Sequence, residues 1–217
     1  MNRNIHEILY NVIFSYFGFY DKHIFQKLNK YTNRIQIKDL FNIDMKYLHN
    51  LNDKRLKNYN YAVKLNANDN TKITNINHMA KMRVLYAYGL CGINNEGIID
   101  LNDLEILNAC CNSKITDINH MSKLKELYAY DSCGITGDGI INLTNLEILD
   151  AEDNTKITNI NHMTKLKELN ASGRCGMNDK GIINLTNLEI LCANYNSKIT
   201  NIKHMTKLKE LKKFDNL

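Results

Sequence analysis

Three sets of side chains in this chain have types and spacings that chemistry can use. Cys91, Cys133 and Cys175 recur every 42 residues, as do His78, His120, His162 and His204, each followed by Met. Thiolates and imidazoles are the ordinary ligands of zinc, and a Cys beside a His is a nucleophile with its base. Cys110-Cys111 and Cys192 add further thiols, and Asp150 with Glu152 makes a carboxylate pair of the kind used for acid and base work.

The elements that must position these groups decide what they can do. Lys72-Ile73-Thr74 recurs at 114, 156 and 198, and a Leu-x-Ala core recurs at Leu65, Leu85, Leu107, Leu127, Leu149, Leu169 and Leu191. Leu211 begins an eighth copy whose second position is Lys213, and the steps alternate between 20 and 22 residues. A short strand with alternating inward residues cannot bury them alone, so such copies stack and share one core. Copies 42 residues apart then lie two strands away, about 10 Å, too far to share an ion. The recurring cysteines therefore read as small buried apolar groups, and the recurring histidines are spread along the outer turns. Those histidines follow the strand and turn, on the opposite side of the coil from Cys110, Cys111 and Cys192, so no Cys/His pair forms. An open sheet offers Asp150 and Glu152 no water-excluding pocket that would part their pKa values. The expectation is a chain with no catalytic residue, no metal and no cofactor.

The L-x-x-L-x-L spacing, as in Leu124-x-x-Leu127-x-Ala129 and Leu146-x-x-Leu149-x-Ala151, resembles the leucine-rich-repeat family over residues 60–217. The resemblance implies an α/β solenoid, with parallel strands on the concave face and short helices or irregular turns on the convex face. Eight copies over residues 61–217 would span about 34 Å of sheet. The family uses an asparagine ladder to satisfy backbone groups where the chain leaves the strand, and Asn70, Asn112, Asn154 and Asn196 stand five residues after their core leucines. In the alternate half-repeats a Cys follows by six, and the phrase at 132–140 resembles the cysteine-containing repeats of F-box/LRR proteins, with the Cys one position later.

Residues one before, one after and three after each core leucine point outward from the concave face. They vary between copies while the core does not, which is what a partner-specific surface on a fixed scaffold produces. Tyr86, Tyr88, Tyr128 and Tyr130, beside Asp131, Asp150, Glu152 and Asp153, make an aromatic and acidic patch suited to a basic protein segment, with tyrosine as a low-entropy anchor. The plainer reading is that tyrosine favours strands and exposed acids are solvated.

Residues 1–60 differ in character. Ile5, Leu9, Val12, Ile13, Tyr16 and Phe17 have helical spacing, so a helix is expected over 4–17, and a second over 21–33 would bury Ile24, Phe25 and Leu28. Ile13-Phe14-Ser15-Tyr16-Phe17 and Leu28-Asn29-Lys30 resemble the I-F-S-Y-L and V-N-K phrases of an F-box, with Ile5 at its leading Leu. His6, Ile8 and Thr32 depart from the pattern, at its Pro, Glu and Trp. The resemblance implies that Ile5, Ile13, Phe14, Tyr16, Phe17 and Leu28 dock on a Skp-type adaptor, and that the repeats recruit a substrate to a cullin-type ubiquitin ligase. The alternative is a plain leucine-rich-repeat scaffold whose residues 1–40 are a hydrophobic cap on the open end. Residues 41–60 are expected to form a bridging, capping helix under either reading.

Composition bounds the rest. Hydrophobic residues at 44% and charged residues at 24% are ordinary globular usage and exclude wholesale disorder. Residues 1–60 carry ten Lys/Arg against five Asp/Glu, whereas residues 61–217 carry eighteen of each, so the repeat face has no basic excess and nucleic acid is not an expected partner. Glu7 and Asn11 interrupt the early apolar stretch, no run approaches a membrane span, and six cysteines without a secretory leader read as reduced thiols. The expected location is intracellular, cytoplasmic or nuclear, with no membrane contact.

Overall fold

A strand of three residues with one buried leucine persists only beside others of its kind, and the chain supplies them in strict succession. The computed structural model describes residues 39–40, 50–57 and 59–214. Nine strands form one parallel sheet in chain order: β1 (Asp39–Leu40), β2 (Lys64–Asn66), β3 (Val84–Tyr86), β4 (Ile106–Asn108), β5 (Glu126–Tyr128), β6 (Ile148–Asp150), β7 (Glu168–Asn170), β8 (Ile190–Cys192) and β9 (Glu210–Lys212). The register matches leucine to leucine at every step, from Leu40 against Leu65 to Leu191 against Leu211. Leu40 through Leu191 are buried, whereas Leu211 on the last described strand is 44% exposed. An alanine two residues after each leucine from Leu65 to Leu191 is wholly buried, where the chain bends toward the convex side.

Strands β2 to β9 are the eight expected copies, and β1 is a ninth. The sequence reading places residues 39–40 at the end of a helical segment; they are instead a strand paired with β2. Leu40 precedes Leu65 by 25 residues rather than 20 or 22 and lacks the following alanine, so the period does not reveal it. Of the bridging helix expected over 41–60, the described residues contain one turn, α1 (Asp53–Leu56), capped by Asn52, whose Oδ1 accepts from the Arg55 amide at 3.0 Å. Ile5, Ile13, Phe14, Tyr16, Phe17 and Leu28 lie outside the described residues.

The convex side is built of turns, with a short 3-10 segment in each 22-residue half-repeat: Asn95–Ile98, Asp138–Ile140 and Asp179–Ile182. Close stacking keeps these segments short. A Cβ on Gly97, Gly139 or Gly181 would lie 2.0 Å from the carbonyl oxygen of Thr74, Thr116 or Thr158 in the preceding turn. The glycine carbonyl in turn accepts from Ile76, Ile118 or Ile160 at 2.9 Å. Between the two faces lie Ile73, Ile76, Met79 and Met82 of one half-repeat and Cys91, Ile93, Ile98, Leu101 and Leu104 of the next, all buried. This unit recurs up to the last described turn.

Polar ladders satisfy the backbone that this core hides. Asn112 is fully buried; its Nδ2 donates to the carbonyls of Ala87 at 2.9 Å and Ile93 at 3.2 Å, and its Oδ1 accepts from the Lys114 amide at 3.0 Å. Asn154 and Asn196 repeat all three bonds one and two units later. Asn70 Nδ2 likewise donates to the Leu51 carbonyl at 3.2 Å, and its Oδ1 accepts from the Lys72 amide at 2.9 Å. On the convex side, His78, His120, His162 and His204 donate through Nε2 to the carbonyls of Leu56, Ile98, Ile140 and Ile182 at 3.0–3.1 Å. The histidines are therefore rungs of a hydrogen-bond ladder, each spent on the turn before it.

Replacing Asn112 with Ala leaves two buried carbonyls and one amide without partners, so urea unfolding should show a loss of about 3 kcal/mol. Asn108→Ala, at a half-exposed concave position where the Cys110 amide loses its Asn108 Oδ1 acceptor, should cost less, about 1 kcal/mol.

Candidate functional site

The pleat dictates which side chains the concave face presents. With Leu and Ala turned inward, three columns face out: the residues before, one after and three after each leucine. Strand register lays the middle column as Asn66, Tyr86, Asn108, Tyr128, Asp150, Asn170, Cys192 and Lys212. The column three after the leucine runs Asn68, Tyr88, Cys110, Tyr130, Glu152, Ser172, Asn194 and Phe214. Tyr86 and Tyr128 thus flank Asn108, Tyr88 and Tyr130 flank Cys110, and Asp150 and Glu152 occupy the rung after the second tyrosine pair. The structure brings together the expected tyrosines and these two acids.

Local contacts hold the tyrosine rings. The Tyr128 hydroxyl donates to Glu126 Oε2 at 3.4 Å, and burial together with that carboxylate pushes its pKa up. A hydrogen bond to Cys110 and partial burial raise the pKa of Tyr130, and a hydrogen bond to Asp69 raises that of Tyr88. Tyr88, Tyr128 and Tyr130 therefore present neutral hydroxyls and aromatic edges at physiological pH. Cys110, set between Tyr88 and Tyr130, is only 2% exposed although it lies on the concave column, and burial pushes its thiol up to about 12. Ser172 is likewise buried and donates to Cys192 Sγ at 3.1 Å.

Asp131 and Asp153 belong to a feature that the sequence reading missed. The fourth residue after the leucine is left-handed at every rung from β2 to β8: Asp69, Gly89, Cys111, Asp131, Asp153, Gly173 and Tyr195 have φ between 54° and 68°. Glycine, Asp and Asn tolerate this region best, and an Asp or Gly four residues after the leucine at five of these seven rungs was the available signal. Asp69 Oδ1 accepts from the Leu90 amide at 3.0 Å and Asp153 Oδ1 from the Arg174 amide at 2.7 Å. Each carboxylate leans over the glycine of the next rung, where a Cβ would lie 2.2 Å from Asp69 Oδ1 or 2.5 Å from Asp153 Oδ1. Asp153 also has Arg174 Nε at 3.7 Å, so its carboxylate is committed to the turn.

Charge is distributed unevenly between the concave columns and the sheet flank. Two residues before each leucine, Arg83, Glu105, Lys125, Glu147, Lys167, Glu189 and Lys209 alternate in sign. Ion pairs join Lys167 to Glu147 and Lys209 to Glu189 at 2.6 Å, and Arg83 reaches both Asp103 and Glu105. Among the described residues no ion pair involves Glu126, Asp150 or Glu152. Burial raises the Asp150 pKa, and the neighbouring Glu152 charge adds to it, against the Glu152 amide that donates to Asp150 Oδ1 at 3.1 Å.

Burial also pushes the thiols of Cys91 and Cys133 up to about 11, and raises that of Cys175. The ladder cysteines are buried protonated thiols, with their carbonyls accepting from Lys114, Lys156 and Lys198. All six cysteines are free.

No protein-family model matches the chain, and no curated protein sequence matches it. Solved structures do. An internalin C2 from Listeria monocytogenes superposes with a TM-score of 0.56 at 21% identity, covering 73% of this chain and 74% of that one. An internalin InlF from the same organism gives 0.55 at 21% identity, covering 81% of this chain and 57% of that one. At this identity the likeness is one of fold: a parallel leucine-rich-repeat solenoid.

Asp150 holds its proton more tightly in the folded chain than in the unfolded one, so rising pH through the carboxylate range draws the equilibrium toward unfolding. Asp150→Asn should therefore melt higher than the parent at about pH 7 and together with it at about pH 3. A melting curve at each pH checks both outcomes.

Proposed function

We propose that this chain is a protein-binding scaffold that captures a basic partner segment on its concave face. Tyr86, Tyr88, Tyr128 and Tyr130 supply the contact area, and Glu126, Asp150 and Glu152 supply the charge. One observation carries the reading: from β3 to β8 no Lys or Arg occupies any of the three outward columns, while the acids of the flank are already paired with neighbouring bases. On the concave face itself, Glu126, Asp150, Glu152 and Glu168 are in no ion pair among the described residues, so their charge is not neutralised by a neighbouring base on the surface that holds the aromatic rings. A carboxylate kept half-buried at Asp150 costs stability, which is the usual mark of a residue retained for binding. Tyrosines presented on a rigid sheet lose little entropy on contact.

A finer reading rests on the N-terminal phrases at Ile13-Phe14-Ser15-Tyr16-Phe17 and Leu28-Asn29-Lys30. In it, residues 4–35 dock on a Skp-type adaptor of a cullin-type ubiquitin ligase, and the concave face selects the substrate. The sequence match is what supports it. Six free thiols support placement in a reducing compartment.

The Tyr128→Ala/Tyr130→Ala double variant should weaken binding of a Lys/Arg-rich peptide by about 30-fold, the loss expected on removing a binding hot spot. The melting temperature should shift little, and binding by the parent should fall as salt rises. Equal binding by parent and variant would remove the patch. For the finer reading, the full chain and a chain lacking residues 1–38 are co-purified with a Skp-type adaptor. Retention by the full chain alone is expected; no retention by a folded full chain would leave the scaffold without an adaptor.

A further inference from the structure

The cysteine pair in the centre of the tyrosine columns is not used by partner capture, and its geometry sets it apart from the buried ladder. Cys110 Sγ and Cys111 Sγ are 3.2 Å apart, and Cys111 Sγ lies 3.7 Å from Asp131 Oδ2. The three donor atoms fall within 4.8 Å of one another, the only such trio of His, Cys, Asp or Glu among the described residues. Cys111 and Asp131 hold the same left-handed position on successive rungs, with φ of 55° and 57°, which sends their side chains out side by side. Elsewhere an Asp at this position reaches forward to an amide of the next rung, as Asp69 and Asp153 do. Asp131 instead has the Cys111 thiol of the preceding rung as its partner.

We infer that Cys110, Cys111 and Asp131 form a binding site for a thiophilic divalent cation of the zinc class. Two sulfurs on a tetrahedral zinc stand about 3.8 Å apart, and a sulfur and a carboxylate oxygen about 3.6 Å, given bonds of about 2.3 Å and 2.1 Å. The observed 3.2 Å and 3.7 Å approach those spacings, so small side-chain rotations complete the chelate. Paired thiolates with one oxygen favour zinc over magnesium or calcium. Each thiol gives its proton to solvent as it ligates. Half-exposed Cys111 and exposed Asp131 leave the fourth position to water. A direct sulfur–sulfur bond is the poorer use of the pair. Adjacent residues hold their Cα atoms about 3.8 Å apart, short of the roughly 4.4–6.8 Å that disulfides span.

The test is a titration of the reduced full chain with Cd2+, which reports thiolate ligation by charge-transfer absorption, followed by competition with Zn2+. One equivalent should bind, Zn2+ should displace it, and Cys111→Ser should abolish the signal. Asp131→Asn, whose side chain keeps the left-handed turn, should weaken binding on the order of 10-fold or more. Cys192→Ser should leave it unchanged, and circular dichroism should show every variant folded. A folded, reduced chain that gives no charge-transfer band, or one whose band survives Cys111→Ser, overturns the site. A pair that only loses two hydrogens on oxidation and takes up no ion overturns it equally.

Discussion

A turn of 20 or 22 residues is too short to satisfy its own backbone, and this chain depends on how each turn settles that debt with the one before it. Where the strand bends away from the sheet, carbonyls are buried with no sheet partner, and an orphaned buried carbonyl costs as much as a lost hydrogen bond. Asn112, Asn154 and Asn196 each reach 25 and 19 residues back to close two such carbonyls. The histidine ladder closes another on the opposite side of the coil. Because the donors on one turn match acceptors on the last, register is fixed without long strands. The unvarying leucine-on-leucine pairing from β1 to β9 follows.

The same constraint frees the concave columns to vary. The asparagine and histidine ladders do not use the residues before, one after or three after the leucine, and although several of these side chains accept nearby amides, as Asn68 does from Tyr88 and Asn108 from Cys110, their identity varies from copy to copy. The flank takes up the opposite role, alternating Lys and Glu so that like charges never stack directly. On the concave face, Glu126, Asp150 and Glu152 lie next to the tyrosines and are in no ion pair among the described residues. The fold likeness to internalins concerns the scaffold that permits this arrangement, and the chemistry of the face belongs to this chain.

Cysteine illustrates how position in the turn decides the chemistry of one residue type. Cys91, Cys133 and Cys175 lie inside the coil, where burial keeps the thiol protonated and inert. Cys110 and Cys111 straddle the point where the strand ends and the left-handed turn begins, which places adjacent sulfurs on the same side. A nucleophile there would need a histidine, and every recurring histidine is held on the convex side by the preceding turn's carbonyl.

The resemblance to leucine-rich repeats supplied the asparagine ladder, whereas periodicity alone determined the stacked repeats, the inward leucines and the columns that face outward, because a repeated pattern of buried and exposed positions favours one way of stacking. It placed Tyr86, Tyr88, Tyr128 and Tyr130 beside Asp150 and Glu152 before any coordinates. It missed β1, since Leu40 stands off the period and its strand exists only through pairing with β2. It assigned Asp153 to the acidic patch without foreseeing that Asp153 Oδ1 accepts from the Arg174 amide in the left-handed turn. It weighed Cys110 and Cys111 only against histidine, because the approach of Asp131 comes from the neighbouring rung. Those outcomes depend on distances between residues about 20 positions apart, set by the stacking of turns, and only the tertiary structure contains them.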